Sequence, residues 1–133
     1  MSRSSLSLVV GCAAILAPAL HSVTDVMEWY HQGFTTTQLW LNYLAFLPMP
    51  WLLLGVYAVH DRRPGAAGLI GALLYGAAFT NFSYTTLYAL DQQVPTYEDL
   101  WSRLGGLYTL HGGLMVAGGL LFGVAVLLSL IHI

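Results

Sequence analysis

The sequence predicts an all-α fold, a transmembrane four-helix bundle forming one domain, and three observations predict it. Of 133 residues, 57% are hydrophobic and 8% are charged, a balance too apolar for an ordinary water-soluble domain. A helix crossing the hydrocarbon core needs roughly 20 mostly apolar residues. Four such stretches are present, at about 5–20, 39–59, 65–90 and 107–127. The charges then sort by side: Arg3, Arg62 and Arg63 fall on one, and Asp25, Glu28, Asp91, Glu98 and Asp99 fall on the other with Arg103. Because the positive excess marks the cytoplasmic face, the expected protein is multi-pass, with both termini cytoplasmic and two acid-bearing loops outside. A bacterial cytoplasmic (inner) membrane fits this pattern.

Composition also excludes. The net charge is -2, with no lysine and no basic tract, so nucleic acid has no electrostatic reason to bind. A single cysteine, Cys12, forms neither an intramolecular disulfide nor a thiolate metal cluster. Since no stretch is left for an aqueous domain, ligands and partners are expected to be membrane-borne or to approach at the rims.

Residues 1–20 admit three readings, because an Arg3-bearing start followed by an apolar run serves as an anchor, a cleaved signal peptide or a lipoprotein signal. Ala17-Pro18-Ala19 imitates a cleavage site, and Val9-Val10-Gly11-Cys12 imitates a lipobox. Only the short stretch Leu6 to Val10 would precede Cys12 as an apolar core, and cleavage after Ala19 would leave three spans, so a retained first helix is the expectation.

Residues 21–38, HSVTDVMEWYHQGFTTTQ, form a polar connector on which the other outer ends converge. A helix continuing past Pro18 places His21, Asp25 and Glu28 on one face, since residues three and four apart are neighbours. Trp29, Tyr30 and Phe34 then suit the lipid boundary. A solvated interfacial helix with an aromatic belt explains the same residues without any chemistry.

In the second span, Pro48-Met49-Pro50 removes two backbone donors and predicts a kink. The span ends in His60-Asp61-Arg62-Arg63, after which Pro64 suits the first position of the third helix. Gly68, Ala72 and Gly76 in the third span, and Gly112, Gly119 and Gly123 in the fourth, predict small-residue seams for close helix packing or for a homo-oligomer. Between these spans, Thr96-Tyr97-Glu98-Asp99 predicts the capped start of a short interfacial helix anchored by Trp101. Asn81-Phe82-Ser83 has the form of a glycosylation site but falls inside a span.

At the chain's end, Leu128-Ser129-Leu130-Ile131-His132-Ile133 reproduces the translation of a transposon mosaic-end adapter used in shotgun sequencing. The expectation is that residues 128–133 derive from the adapter, and His132 is given no role.

Polar groups gathered in the outer half carry the functional expectations. Ionisable groups inside a membrane are costly and usually face the bundle interior. One expectation is a cavity for a membrane lipid, quinone or other lipophilic small molecule, with Tyr43, Trp51, Tyr84 and Tyr88 as walls and Asn42, Asn81 and His111 at the polar head. An accessory role in a larger membrane complex is the companion reading. The alternative is redox or enzymatic: haem b ligated by His21 and His111, with His31 as substitute, or a divalent metal held by His21, Asp25 or Glu28 with His111. A metal-free acid-base pair of Asp25 or Glu28 with His111 is a further form of it. Neither HExxH nor a di-iron carboxylate motif occurs, so the non-enzymatic reading is preferred, with no cofactor.

His21 with Asp25 in the first loop, the Arg-bearing turn 60–63, and the Gly-rich stretch 65–76 together give a pattern that resembles small bacterial four-span membrane proteins. The resemblance implies the fold and assigns no activity or catalytic residue.

Overall fold

The structure, a computed structural model, describes residues 3–59 and 65–131. Six helices follow one another: α1 (Arg3–His31), α2 (Thr36–Phe46), α3 (Met49–Val59), α4 (Gly65–Asp91), α5 (Tyr97–Leu104) and α6 (Gly106–Ile131). Four segments are long and apolar enough to cross a membrane, α1, α2 with α3, α4 and α6, so the chain is a multi-pass, all-α bundle. The turn 60–64, with Arg62, Arg63 and the expected helix-starting Pro64, lies outside the described residues, as does His132. α6 runs on into the stretch ascribed to the adapter.

The first helix differs most from expectation. Rather than ending near Leu20, α1 continues through Pro18 to His31, leaving a connector of only residues 32–35. At about 1.5 Å per residue its 29 residues span about 43 Å, against roughly 30 Å of hydrocarbon. The helix is thus longer than the hydrocarbon is thick, and its polar end carries Asp25 and Glu28, both with exposed or half-exposed side chains.

Helix ends follow local chemistry. α1 closes with Gln32 in the left-handed region (φ 54°) and a Gly33 N–H bond back to the Glu28 carbonyl. α4 closes the same way, with Gln93 at φ 49° and Val94 N–H donating to the Ala89 carbonyl. Thr35 caps α2 in a reciprocal box with Gln38. Thr96 caps α5 as its sequence predicts, accepting from the Asp99 N–H, and Glu98 and Asp99 occupy the first turn. The proline pair separates α2 from α3, because Pro48 and Pro50 cannot donate to the carbonyls of Leu44 and Phe46.

α4 is the central helix: α6 packs on one side of it and the kinked α2–α3 pair on the other, while α1 lies against α2 and α3. Lipid tails are as apolar as leucine, so close backbone approach must supply much of the association. Gly71 and Gly118 supply it. A Cβ at Gly71 would fall on the Phe122 backbone nitrogen, and one at Gly118 on that of Tyr75. Gly76 sits against Pro50 of α3, as one member of the expected seam. The expected Gly112 and Gly123 meet nothing within 4 Å, whereas Gly119 lies under the ring of Tyr75.

Candidate functional site

α1 and α2 run antiparallel, and their seam turns polar toward the outer end. Residues 17, 21, 24 and 28 of α1 follow the four-three-four spacing of one helix face. Opposite them stand Gln38, Asn42 and Ala45. The Asn42 Oδ1 accepts from His21 Nδ1 at 3.1 Å and from the Thr24 hydroxyl. Thr24 also lies 2.6 Å from its own-helix acceptor, the His21 carbonyl. One turn further out, Gln38 Nε2 donates to Glu28 Oε2 at 3.2 Å. Thr24 and Gln38 are both fully buried (0% exposed), so this seam is sealed by paired polar groups rather than by water. Neither residue is conspicuous in the sequence, because an uncharged threonine and glutamine read as linker.

Beneath that seam lies a cavity of about 190 Å³. Ala17, Pro18 and His21 of α1 form one wall, and Ala45 and Phe46 of α2 form the second. Met49 of α3 and Tyr75 and Phe79 of α4 close it. The lining is almost wholly apolar, and its volume is below the roughly 300 Å³ at which pockets begin to enclose a whole drug-sized molecule. It has room for part of an apolar group of that size.

The outer rim carries a wider, open cleft of about 540 Å³ between the end of α1 and the start of α5. Asp25, Glu28 and Glu98 bring carboxylates to it, with Trp29 and Tyr97 as aromatic walls. Phe34 N–H donates to the Pro95 carbonyl at 2.8 Å, joining the two outer connectors beside it. Burial and the adjacent Tyr108 push the Tyr97 phenol above the ordinary tyrosine range.

The residues expected from sequence are only partly brought together. Asn42 joins the α1–α2 seam, and Tyr43 makes an edge contact with Trp40 on the face of α2. Trp51, at 76% exposed, and Tyr84, at 50%, point out of the bundle. Tyr88 pairs with Tyr84 and packs beside the outer core of Leu39, Ala89 and Val94. Asn81 turns its amide onto the Ala77 carbonyl of its own helix, so its polarity is satisfied locally. His111 is 1% exposed, held edge-on between Phe82 and Tyr108. Its Nδ1 is the buried side-chain polar atom without a hydrogen-bond partner among the described residues. Tyr43, Trp51, Tyr84 and Tyr88 do not line the cavity between α1 and α4, whose aromatic lining is Phe46, Tyr75 and Phe79.

The residues expected for a metal or haem are placed as follows. Among the described residues, no group of three or more His, Cys, Asp or Glu side chains could hold a metal ion. His21 and His111 are connected through the rings of Phe46 and Phe82, with successive centroid separations of 4.8, 5.3 and 4.4 Å. His31 is exposed at the end of α1 against Tyr30, and Asp25 and Glu28 line the rim cleft, Glu28 bonded to Gln38, while His111 is buried.

No family model matches the sequence, and no similarity to a curated protein or a solved structure is found.

Proposed function

We propose that this chain is a protein of a bacterial cytoplasmic membrane, with both termini inside, that binds the apolar part of a membrane lipid or other lipophilic small molecule between α1 and α4. The observation that carries the reading is the apolar cavity of about 190 Å³ beneath the His21–Asn42 seam. Apolar side chains on several helices line it, and a single imidazole borders it. Such a lining favours an alkyl, isoprenoid or aromatic group over water, because water needs two to four polar partners to remain in a cavity. The arginine distribution supports the orientation.

Extraction of the protein with its surrounding lipid, followed by mass spectrometry, tests the reading. A lipophilic species retained at near-stoichiometric level is expected, and Ala17→Phe should expel it by filling the wall of the cavity. Equal retention by both proteins would sink the proposal.

An accessory role in a membrane complex, or self-association, is the second reading. It draws on Gly112, Gly113 and Gly123 of α6, where an added Cβ meets nothing within 4 Å. A small-residue face unused within the chain is available to another helix. Chemical cross-linking in membranes should then show a discrete larger species that Gly123→Leu abolishes; a monomer in both would remove this reading.

A further inference from the structure

We propose that the ligand of this cavity bears a hydroxyl group, as in a lipophilic alcohol, phenol or hydroquinone, and donates its O–H to Nε2 of His21. The inference rests on the lipophile-binding reading above and names the class of ligand.

The tautomer of the His21 ring sets which group it can bind. His21 Nδ1 faces three oxygens, Asn42 Oδ1 at 3.1 Å, the Thr24 hydroxyl at 3.4 Å and Asp25 Oδ1 at 3.7 Å, and the single Thr24 proton is directed to the closer Asn42 oxygen or His21 carbonyl. A carboxamide oxygen and a carboxylate only accept, so the proton of the neutral imidazole belongs on Nδ1 and the lone pair on Nε2. Among the described residues no hydrogen-bond partner meets Nε2, and His21 is one of the residues that line the cavity. Phe46 stacks edge-on against the ring at 4.8 Å and holds it in place.

The rest of the lining offers no comparable polar atom. Ala17, Pro18, Ala45 and Phe79 are apolar, and the Met49 thioether is a weak acceptor. Tyr75 lies with its ring over Gly119 of α6, where a Cβ would be 3.6 Å from its Cζ, so that end of the ring is engaged by the neighbouring helix. The site therefore presents one strong acceptor and no strong donor. An alcohol or hydroquinone completes it; a quinone, ketone, ester or ether carries acceptors only and would leave Nε2 unpaired. A site built around one unmet hydrogen bond discriminates against the analogue that lacks the matching group.

The test uses the whole protein in phosphatidylcholine nanodiscs with two photoreactive probes, a diazirine-bearing long-chain alcohol and its methyl ether. Cross-linked peptides are mapped by mass spectrometry. The alcohol should label segments 17–21, 45–49 or 75–79 about fivefold more than the ether, the worth of one ordinary hydrogen bond. In His21→Phe, which keeps a ring but no acceptor, the two probes should label equally. Equal labelling of the wild type would overturn the hydroxyl inference while leaving the lipophile site standing. Labelling of these segments by neither probe would overturn the site itself. Independently of any variant, site-assigned ¹⁵N spectra of histidine-labelled protein should show a protonated Nδ1 and a bare Nε2 at His21. The reverse assignment would overturn the inference.

Discussion

His21 Nδ1 lies 3.1 Å from the side-chain oxygen of Asn42, a bond that joins the first membrane helix to the second. The same oxygen takes the Thr24 hydroxyl, so Asn42 is the acceptor on which the α1–α2 seam turns. Asn42→Leu keeps the volume and removes the acceptor. Interhelical hydrogen bonds in membranes contribute about 0.6 kcal/mol on average and at most about 1.7, because the unfolded helices find other partners in the bilayer. A loss of about 1 kcal/mol is therefore expected in an SDS-unfolding titration, with Thr24 keeping its second acceptor, the His21 carbonyl. A double-mutant cycle with His21→Phe should show coupling; additivity would mean that the two side chains are neighbours without a contributing bond.

Glycine substitutions should divide sharply between α6 positions that look alike in sequence. Gly118→Ala places a methyl group against the backbone of Tyr75, so α4 and α6 must separate, at a cost of about 1–3 kcal/mol for overpacking. Gly113→Ala meets nothing within 4 Å and should be neutral, or stabilising by up to about 1 kcal/mol through helix propensity. Unfolding titrations of the two variants decide the matter, and equal effects would contradict the crossing point described.

These two cases also mark how far the sequence could be read. Four apolar stretches, the proline interruption and the Thr96 cap were legible because each depends on composition or on chemistry within a few residues. The continuation of α1 was legible only in part: a helix past Pro18 puts His21, Asp25 and Glu28 on one face, but the polarity of residues 21–31 reads as a surface connector and does not show that His21, Thr24 and Glu28 face Gln38 and Asn42. Spacing of 17, 21, 24 and 28 was the available signal, and it gains meaning only once a matching polar face is known opposite. For the glycines the difficulty was rotational. Spacing of four selects 68, 72 and 76, while the contact with α6 falls at Gly71, and a glycine-rich helix gives no bulky residues by which to choose between its faces.

His111 offers a prediction with the opposite sign. Its buried Nδ1 has no partner among the described residues, and its ring is held between Phe82 and Tyr108. An unpaired buried polar group costs about 1–3 kcal/mol, so His111→Phe should raise stability by about 1 kcal/mol if the larger ring is accommodated. The smaller His111→Leu should be close to neutral, its lost ring contacts offsetting the removed nitrogen. Asn81→Leu should likewise change little, since the Asn81 amide bonds only within its own helix. Destabilisation by His111→Leu of more than about 3 kcal/mol would exceed the loss of packing alone and show that the imidazole makes an essential polar contact.

Orientation can be decided at Gln93, which sits in the left-handed region of the connector after α4 and is exposed. With Cys12 replaced by Ala, Gln93→Cys should react with a membrane-impermeant maleimide on spheroplasts if this connector faces the exterior. A cysteine is well tolerated there only if the backbone keeps its positive φ, so an unchanged unfolding profile is the necessary control. The arginine asymmetry makes a second demand. Two arginines introduced into residues 32–35 would oppose the bias set by Arg62 and Arg63 and should lower the fraction of correctly oriented protein. Labelling at Gln93→Cys should fall in step. Labelling confined to lysed membranes, before any arginine is added, would invert the topology and place the His21 cavity in the cytoplasmic half of the bilayer.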